Sequence, residues 1–216
     1  MSGALALRLF RAPKTGLHGF CTHALPRPGL GLEVNVWRLR NLPHLLWGAR
    51  KIVLARLLRI PTFHGRLSLR LIRADGSVLD YGIASYRVVT TAGVTAIVDA
   101  FQNLVELETF IYHGFGTGGT AEAVGDTALV TELTTQYATD NVRPTGSNTE
   151  TSATVYKTVG TLDPDAAVAI TEHGIFTSAT VAAGTLLDRS LFSVVNVAAS
   201  GDTLQATYEL TVAAGS

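Results

Sequence analysis

Residues 66–89 read Arg-Leu-Ser-Leu-Arg-Leu-Ile-Arg-Ala-Asp-Gly-Ser-Val-Leu-Asp-Tyr-Gly-Ile-Ala-Ser-Tyr-Arg-Val-Val. Leu67, Leu69 and Leu71 alternate with Arg66, Ser68 and Arg70, a period of two that puts the leucines on one face of an extended strand. Asp75-Gly76 then supplies the small, turn-permissive pair of a tight hairpin, and Val78 to Val89 returns as a second extended segment.

Toward the C-terminus, Thr90 or Thr91 is placed to cap a short helix over about residues 92–101. Val94, Ile97, Val98 and Phe101 recur at helical spacing, which predicts that this stripe lies against the sheet. Phe110 to His113 reads as a strand followed by the glycine-rich run Gly114-Phe115-Gly116-Thr117-Gly118-Gly119, and a brief helical turn is expected near Asp126 to Leu133. Beyond Thr134 the chain turns Thr-, Ala- and Val-rich, with strands expected over 151–162, 166–171, 174–177, 187–197 and 203–213. Thr145 to Ser152 reads as an exposed mobile loop. Short strands separated by Asp-Pro, Ala-Gly and Ser-Gly-Asp punctuation predict a mainly β fold, an antiparallel β-sandwich or partly closed barrel with one short helix.

Toward the N-terminus, the composition changes near residue 62. Residues 1–75 carry 13 Lys and Arg against 2 Asp and Glu, whereas residues 76–216 carry 4 against 15, so a formal net charge of zero conceals two oppositely charged regions. The expected division is a basic N-terminal segment, 1–62, and a β domain, 63–216. Pro13, Pro26, Pro28, Pro43 and Pro61 interrupt the first region, leaving only Leu45 to Ile60 as a basic amphipathic helix of useful length. Four readings of the region stand open: a basic arm for an acidic partner or nucleic acid, a targeting segment, a structural subdomain, or upstream sequence translated in frame ahead of a later start.

With 47% apolar and 16% charged residues, the 216-residue chain has the composition of a soluble globular protein, and no apolar run reaches the roughly 18 residues that span a bilayer. Cys21 is the sole cysteine, which excludes an intramolecular disulfide and any multi-thiolate zinc site. No membrane association and no cofactor are expected.

The residues that could carry chemistry give weak signals. Gly114 to Gly119 formally matches G-x-G-x-x-G, but the acidic Glu122 and Asp126 that follow would repel a pyrophosphate. A tight loop requiring positive φ is the expectation there. Glu172 and His173 are neighbours and point to opposite faces of a strand, so they form no dyad with each other. His113 and His173 with Glu172 or Asp188 sketch a metal site that no spacing demands, and hydrogen-bonded structural roles are expected instead. Asp188-Arg189 suggests charge-assisted pairing with a neighbouring strand or subunit. Glu106 and Glu108 would share a face if extended, as solvated surface charge. No G-x-S-x-G elbow or ordered triad pattern is present.

Several runs in fixed order, Arg87 to Val94, Tyr112 to Gly118, Gly125 to Leu129, Ile170 to Phe176, Leu186 to Ser190, and Gly201 to Gln205 with Tyr208 to Thr211, resemble a family of uncharacterised tailed-phage virion structural proteins. The resemblance covers about residues 66–216. It implies a non-enzymatic role in the virion, assembled in the host cytoplasm, with other virion proteins of the capsid or tail as partners. Capsid decoration through a homo-oligomer is the leading expectation. The alternative is a tail-fibre or baseplate module recognising a host surface through loops that include Gly114 to Gly119, Ser147 and Asn148. A cell-envelope hydrolase depending on His173 or Asp188 is a third, and nucleic acid is a partner only through the basic N-terminal segment.

Overall fold

A computed structural model describes residues 30–58, 62–198 and 201–214. Pro13, Pro26, Pro28, Ile60, Pro61, Cys21 and the targeting reading of the start lie outside the described residues. The elements run α1 (Leu30–Leu57), β1 (Thr62–Ile72), β2 (Val78–Val88), α2 (Thr91–Phe101), a 3-10 turn at Leu107–Thr109, β3 (Tyr112–Gly116), β4 (Ser147–Ser152), β5 (Val155–Leu162), β6 (Val168–Phe176), β7 (Leu186–Val197) and β8 (Thr203–Ala213). They build two open antiparallel sheets, one ordered β2-β1-β8-β5-β4 and one ordered β3-β6-β7. The fold is mainly β and sandwich-like, and neither sheet closes into a barrel.

The leucine alternation of β1 is the centre of the packing. Leu67, Leu69 and Leu71 are fully buried, in register with Tyr208, Ala206 and Leu204 of β8. They join Ile170, Phe192 and Val195 of the smaller sheet in the main core. Between β1 and β2, Arg73 N donates to Ser77 O, and the loop they close ends on Gly76 at φ +80°, the left-handed region that glycine enters without a Cβ penalty.

The N-terminal segment is the main correction. Its described part is a 28-residue helix with Pro43 inside it, rather than an irregular stretch with a helix starting at Leu45. Proline removes only one intrahelical bond, and what holds α1 is tertiary: it covers the free edges of both sheets, β2 and β7. Arg38 donates to the carbonyls of Asp80 and Tyr81 at a bulge in β2. Asn41 donates to Ala84 O and accepts from Ser193 N, and the Trp37 indole donates to Ser193 O. Val34 and Trp37 enter the main core, so the segment boundary near residue 62 is not a packing boundary. Among the described residues no helix is long and apolar enough to cross a membrane.

Thr90 caps α2 as expected, with extended φ and ψ of −65° and 162°, its hydroxyl accepting from Gly93 N. The buried face of that helix, however, is Gly93, Ala96 and Ile97. A Cβ at Gly93 would lie 2.6 Å from Leu187 O, so the small face seats against the β7 backbone. Val94, Val98 and Phe101, expected inward, are exposed instead. Four further expectations give way. Residues 147–152 form edge strand β4 rather than a loop, a turn separates it from β5, and 168–176 is one continuous strand. The span 126–133 contains no helix.

Candidate functional site

Where the two sheets and the 117–132 loop meet, the fold buries a set of charged and polar side chains. Its hub is Glu172 on β6, fully buried. Its Oε1 accepts from Gly118 N at 3.0 Å and Thr131 N at 2.8 Å, and its Oε2 accepts from Val130 N at 3.1 Å. Across the β6–β7 ladder Arg189 Nε donates to Oε2 at 2.8 Å. The same guanidinium reaches Asp126 Oδ2 and Thr120 O, both at 3.0 Å. One carboxylate and one guanidinium thus fix both ends of a long loop, and a carboxylate accepting this many donors is satisfied in spite of its burial.

This arrangement explains the glycine run and corrects its reading. Gly114 and Gly116 lie within β3, paired with Gly174 and Glu172, and Phe115 is fully buried between them. Of the run, only Thr117 and Gly119 are exposed, and no glycine in it has positive φ. A Cβ at Gly116 would lie 2.6 Å from Glu172 Oε1, and one at Gly118 would lie 2.5 Å from it. The glycines are there to let the backbone close around the carboxylate, not to turn the chain. As recognition residues, Gly114, Phe115, Gly116 and Gly118 are therefore inaccessible.

Two further ion pairs flank the hub. Arg87 pairs with Glu122, whose Oε1 also accepts from Leu191 N at 2.6 Å. Arg143 pairs with Glu132, donates to the carbonyls of Ser178 and Ala183 at 2.8 Å each, and stacks 3.6 Å over the Phe176 ring. Residues 76–216 hold four basic side chains, and three of them, Arg87, Arg143 and Arg189, are buried in these pairs. Sequence reasoning missed the pairs of Arg87 and Arg143. The available signal was scarcity, since Arg87 and Arg143 flank a stretch, 88–142, that contains acids such as Glu122 and Glu132 and no Lys or Arg.

On the other face of β6, His173 Nε2 meets His113 Nδ1 at 3.0 Å, and His113 Nε2 meets Thr158 Oγ1 at 3.2 Å. Burial lowers both imidazoles, His113 to about 3, so they are neutral and one donates to the other. Glu172 points to the opposite face, and Asp188 belongs to a different neighbourhood. An added Cβ on Gly65 would sit 2.6 Å from Asp188 Oδ2 and 2.8 Å from the Tyr208 hydroxyl. Neither of those two atoms has a hydrogen-bond partner among the described residues, although Ser190 donates to Asp188 Oδ1 at 3.2 Å. Burial raises the Asp188 carboxyl to about 7 against the pull of Arg87. Among the described residues no group of three His, Cys, Asp or Glu side chains is arranged to hold a metal ion.

The remaining singled-out residues lie apart. Ser147 and Asn148 are exposed on edge strand β4, with Asn148 Oδ1 accepting from the Tyr156 hydroxyl at 3.0 Å. Glu106 and Glu108 are exposed at the 3-10 turn rather than on a strand. A cleft of about 80 Å3 lined by Trp47, Arg87, Glu122 and Arg189 has room for a few waters rather than a substrate. What the buried polar set does physically is hold loops on sheets. Large apolar side chains instead stand exposed along α1 and along α2 with the 3-10 turn. No known family model matches the chain, and no curated protein sequence matches it.

Proposed function

We propose that the chain is a non-enzymatic structural subunit of a tailed-phage particle, acting in capsid decoration through contacts between copies and with other virion proteins. The observation that carries this reading is the division of labour between interior and exterior. Its interior arginines and their carboxylates are occupied in fixing the 117–132 loop, while large apolar side chains such as Leu39, Leu57 and Phe101 stand 72%, 75% and 86% exposed on the helices. Exposed apolar patches rimmed by charge are the mark of a contact surface. A protein of this kind binds by shape and repetition, with many weak contacts over a particle summing into avidity. The resemblance of residues 66–216 to virion structural proteins supports the same reading.

A tail-tip module is the second reading, favoured by the exposed Ser, Thr and Asn side chains along β4, an edge strand open to a partner. Antibody labelling of intact particles separates the two. Label over the capsid faces supports decoration, label at the tail tip supports recognition, and particles without label overturn both. Turnover of cell-envelope polymers by the pure protein, lost on replacing His173 or Asp188, would return the hydrolase.

A further inference from the structure

α1 carries two apolar stripes where a helix on a sandwich needs one. The inner stripe, with Val34, Trp37, Gly48 and Ile52, is buried against the strands. The outer stripe has Leu32, Leu39, Leu46 and Val53 at strict seven-residue spacing, joined by Leu54 and Leu57, and these six are 56–75% exposed. A seven-residue apolar repeat is the pattern by which one helix meets another. Yet no described helix of the same chain covers it.

A second uncovered face lies on α2 and the segment after it. Val94, Val98 and Phe101 follow spacings of four and three, and Leu104 and Leu107 continue the patch, all 42–86% exposed. The two faces are opposite in charge. Leu30–Leu57 contains five basic residues against the single acid Glu33, whereas residues 91–109 contain Asp99, Glu106 and Glu108 and no base. The exposed side chains of the two faces together present on the order of 1,200 Å2, the lower end of the roughly 1,200–2,000 Å2 that a specific interface buries.

Resting on the reading of the chain as an assembly subunit, we infer that the outer face of α1 on one copy docks on the α2 and 3-10 face of the next. The contact is head-to-tail. Two α1 helices facing each other would set Arg40, Arg50 and Arg56 against their own kind, but the acidic margin of α2 complements them. Each copy then offers one donor face and one acceptor face, so the contact repeats until a ring closes or a filament grows.

Single-face variants of the full chain test this. Leu39→Glu/Leu46→Glu disables the α1 face, and Val98→Lys/Phe101→Lys disables the α2 face, all at exposed positions where folding tolerates charge. Circular dichroism and thermal melting check that each variant keeps the wild-type fold. In sedimentation velocity the wild type forms species larger than a dimer, each variant alone is monomeric, and an equimolar mixture of the two gives a 1:1 dimer and nothing larger. A variant with a disabled α2 face that still self-associates would show α1 pairing with α1 and overturn the inference. So would a monomeric wild type that floats with vesicles of anionic phospholipid, which would make α1 a membrane-surface helix. A monomeric wild type found on particles would sink the head-to-tail contact and leave the virion role standing. Assembly as described, with the protein absent from particles, would do the reverse.

Discussion

Replacing Glu172 by glutamine preserves shape and removes the charge at the hub of the buried polar set. The change leaves Arg189, 2% exposed, without its fully buried partner and with only the partly exposed Asp126 to offset it. It also turns one acceptor oxygen into an amide that faces donors, among Gly118 N, Val130 N, Thr131 N and Arg189. Removing one member of a buried ion pair costs about 3–5 kcal/mol, and each buried donor left unsatisfied adds about 1–3 kcal/mol before relaxation. Water entering the 117–131 loop relieves part of this, so a loss of about 4 kcal/mol is the expected net. With a urea slope near 2 kcal/mol/M, the unfolding midpoint falls by about 2 M. The loop itself, no longer tied at Gly118 and Thr131, becomes the first site of limited proteolysis. A midpoint shift below about 0.5 M with the loop still protected would refute the assignment of Glu172 as its anchor.

Three other outcomes follow from the same geometry. Gly118→Ala, which places a Cβ 2.5 Å from Glu172 Oε1, overpacks the hub by about 1–3 kcal/mol and lowers the thermal midpoint by roughly 5 °C, measured by calorimetry. Trp37→Ala removes a core aromatic and a donor to Ser193 O, costing about 3–5 kcal/mol, with amide exchange rising in β2 and β7 together as α1 loosens. The third concerns pH. Burial holds the Asp188 carboxyl at about 7 in the folded state against an ordinary value of 3.8, so between those limits the folded state holds the extra proton and stability falls as pH rises. Asp188→Asn mimics the protonated form, so its melting point gains on the wild type from pH 4 to pH 7 and the gain levels off above that. The lowered imidazoles of His113 and His173 act in the opposite sense, removing stability as pH falls below 6.5, and both proteins share that acid limb.

The parts of the fold governed by local pattern were legible in the sequence. The β1–β2 hairpin follows from leucine alternation, the α2 cap from Thr90, and β7 and β8 from apolar and threonine-rich stretches set off by the Ala-Gly and Ser-Gly-Asp turns. What was illegible depended on contacts distant in sequence. α1 tolerates Pro43 because Arg38, Asn41 and Trp37 satisfy the open edges of strands 40 to more than 150 residues away. α2 shows its large apolar residues to solvent because Gly93 allows the helix to seat by its small side. β6 looked interrupted because Glu172 and His173 resemble surface residues, and only the donors around them explain their burial. β4 looked like a loop because its side chains face solvent, and its strand identity lies in backbone pairing with β5. Of the candidate site, the pairing of Glu172 with Arg189 was half visible as two charged residues on neighbouring strands. The glycines that make room for it carried no sign of their purpose.

Counting the chain in purified particles shows whether it builds them. Quantitative mass spectrometry of purified, salt-washed particles, referenced to the major capsid protein, should find the chain in many copies at a fixed ratio to that protein. Particles free of it, with the chain confined to the infected-cell lysate, would contradict the account.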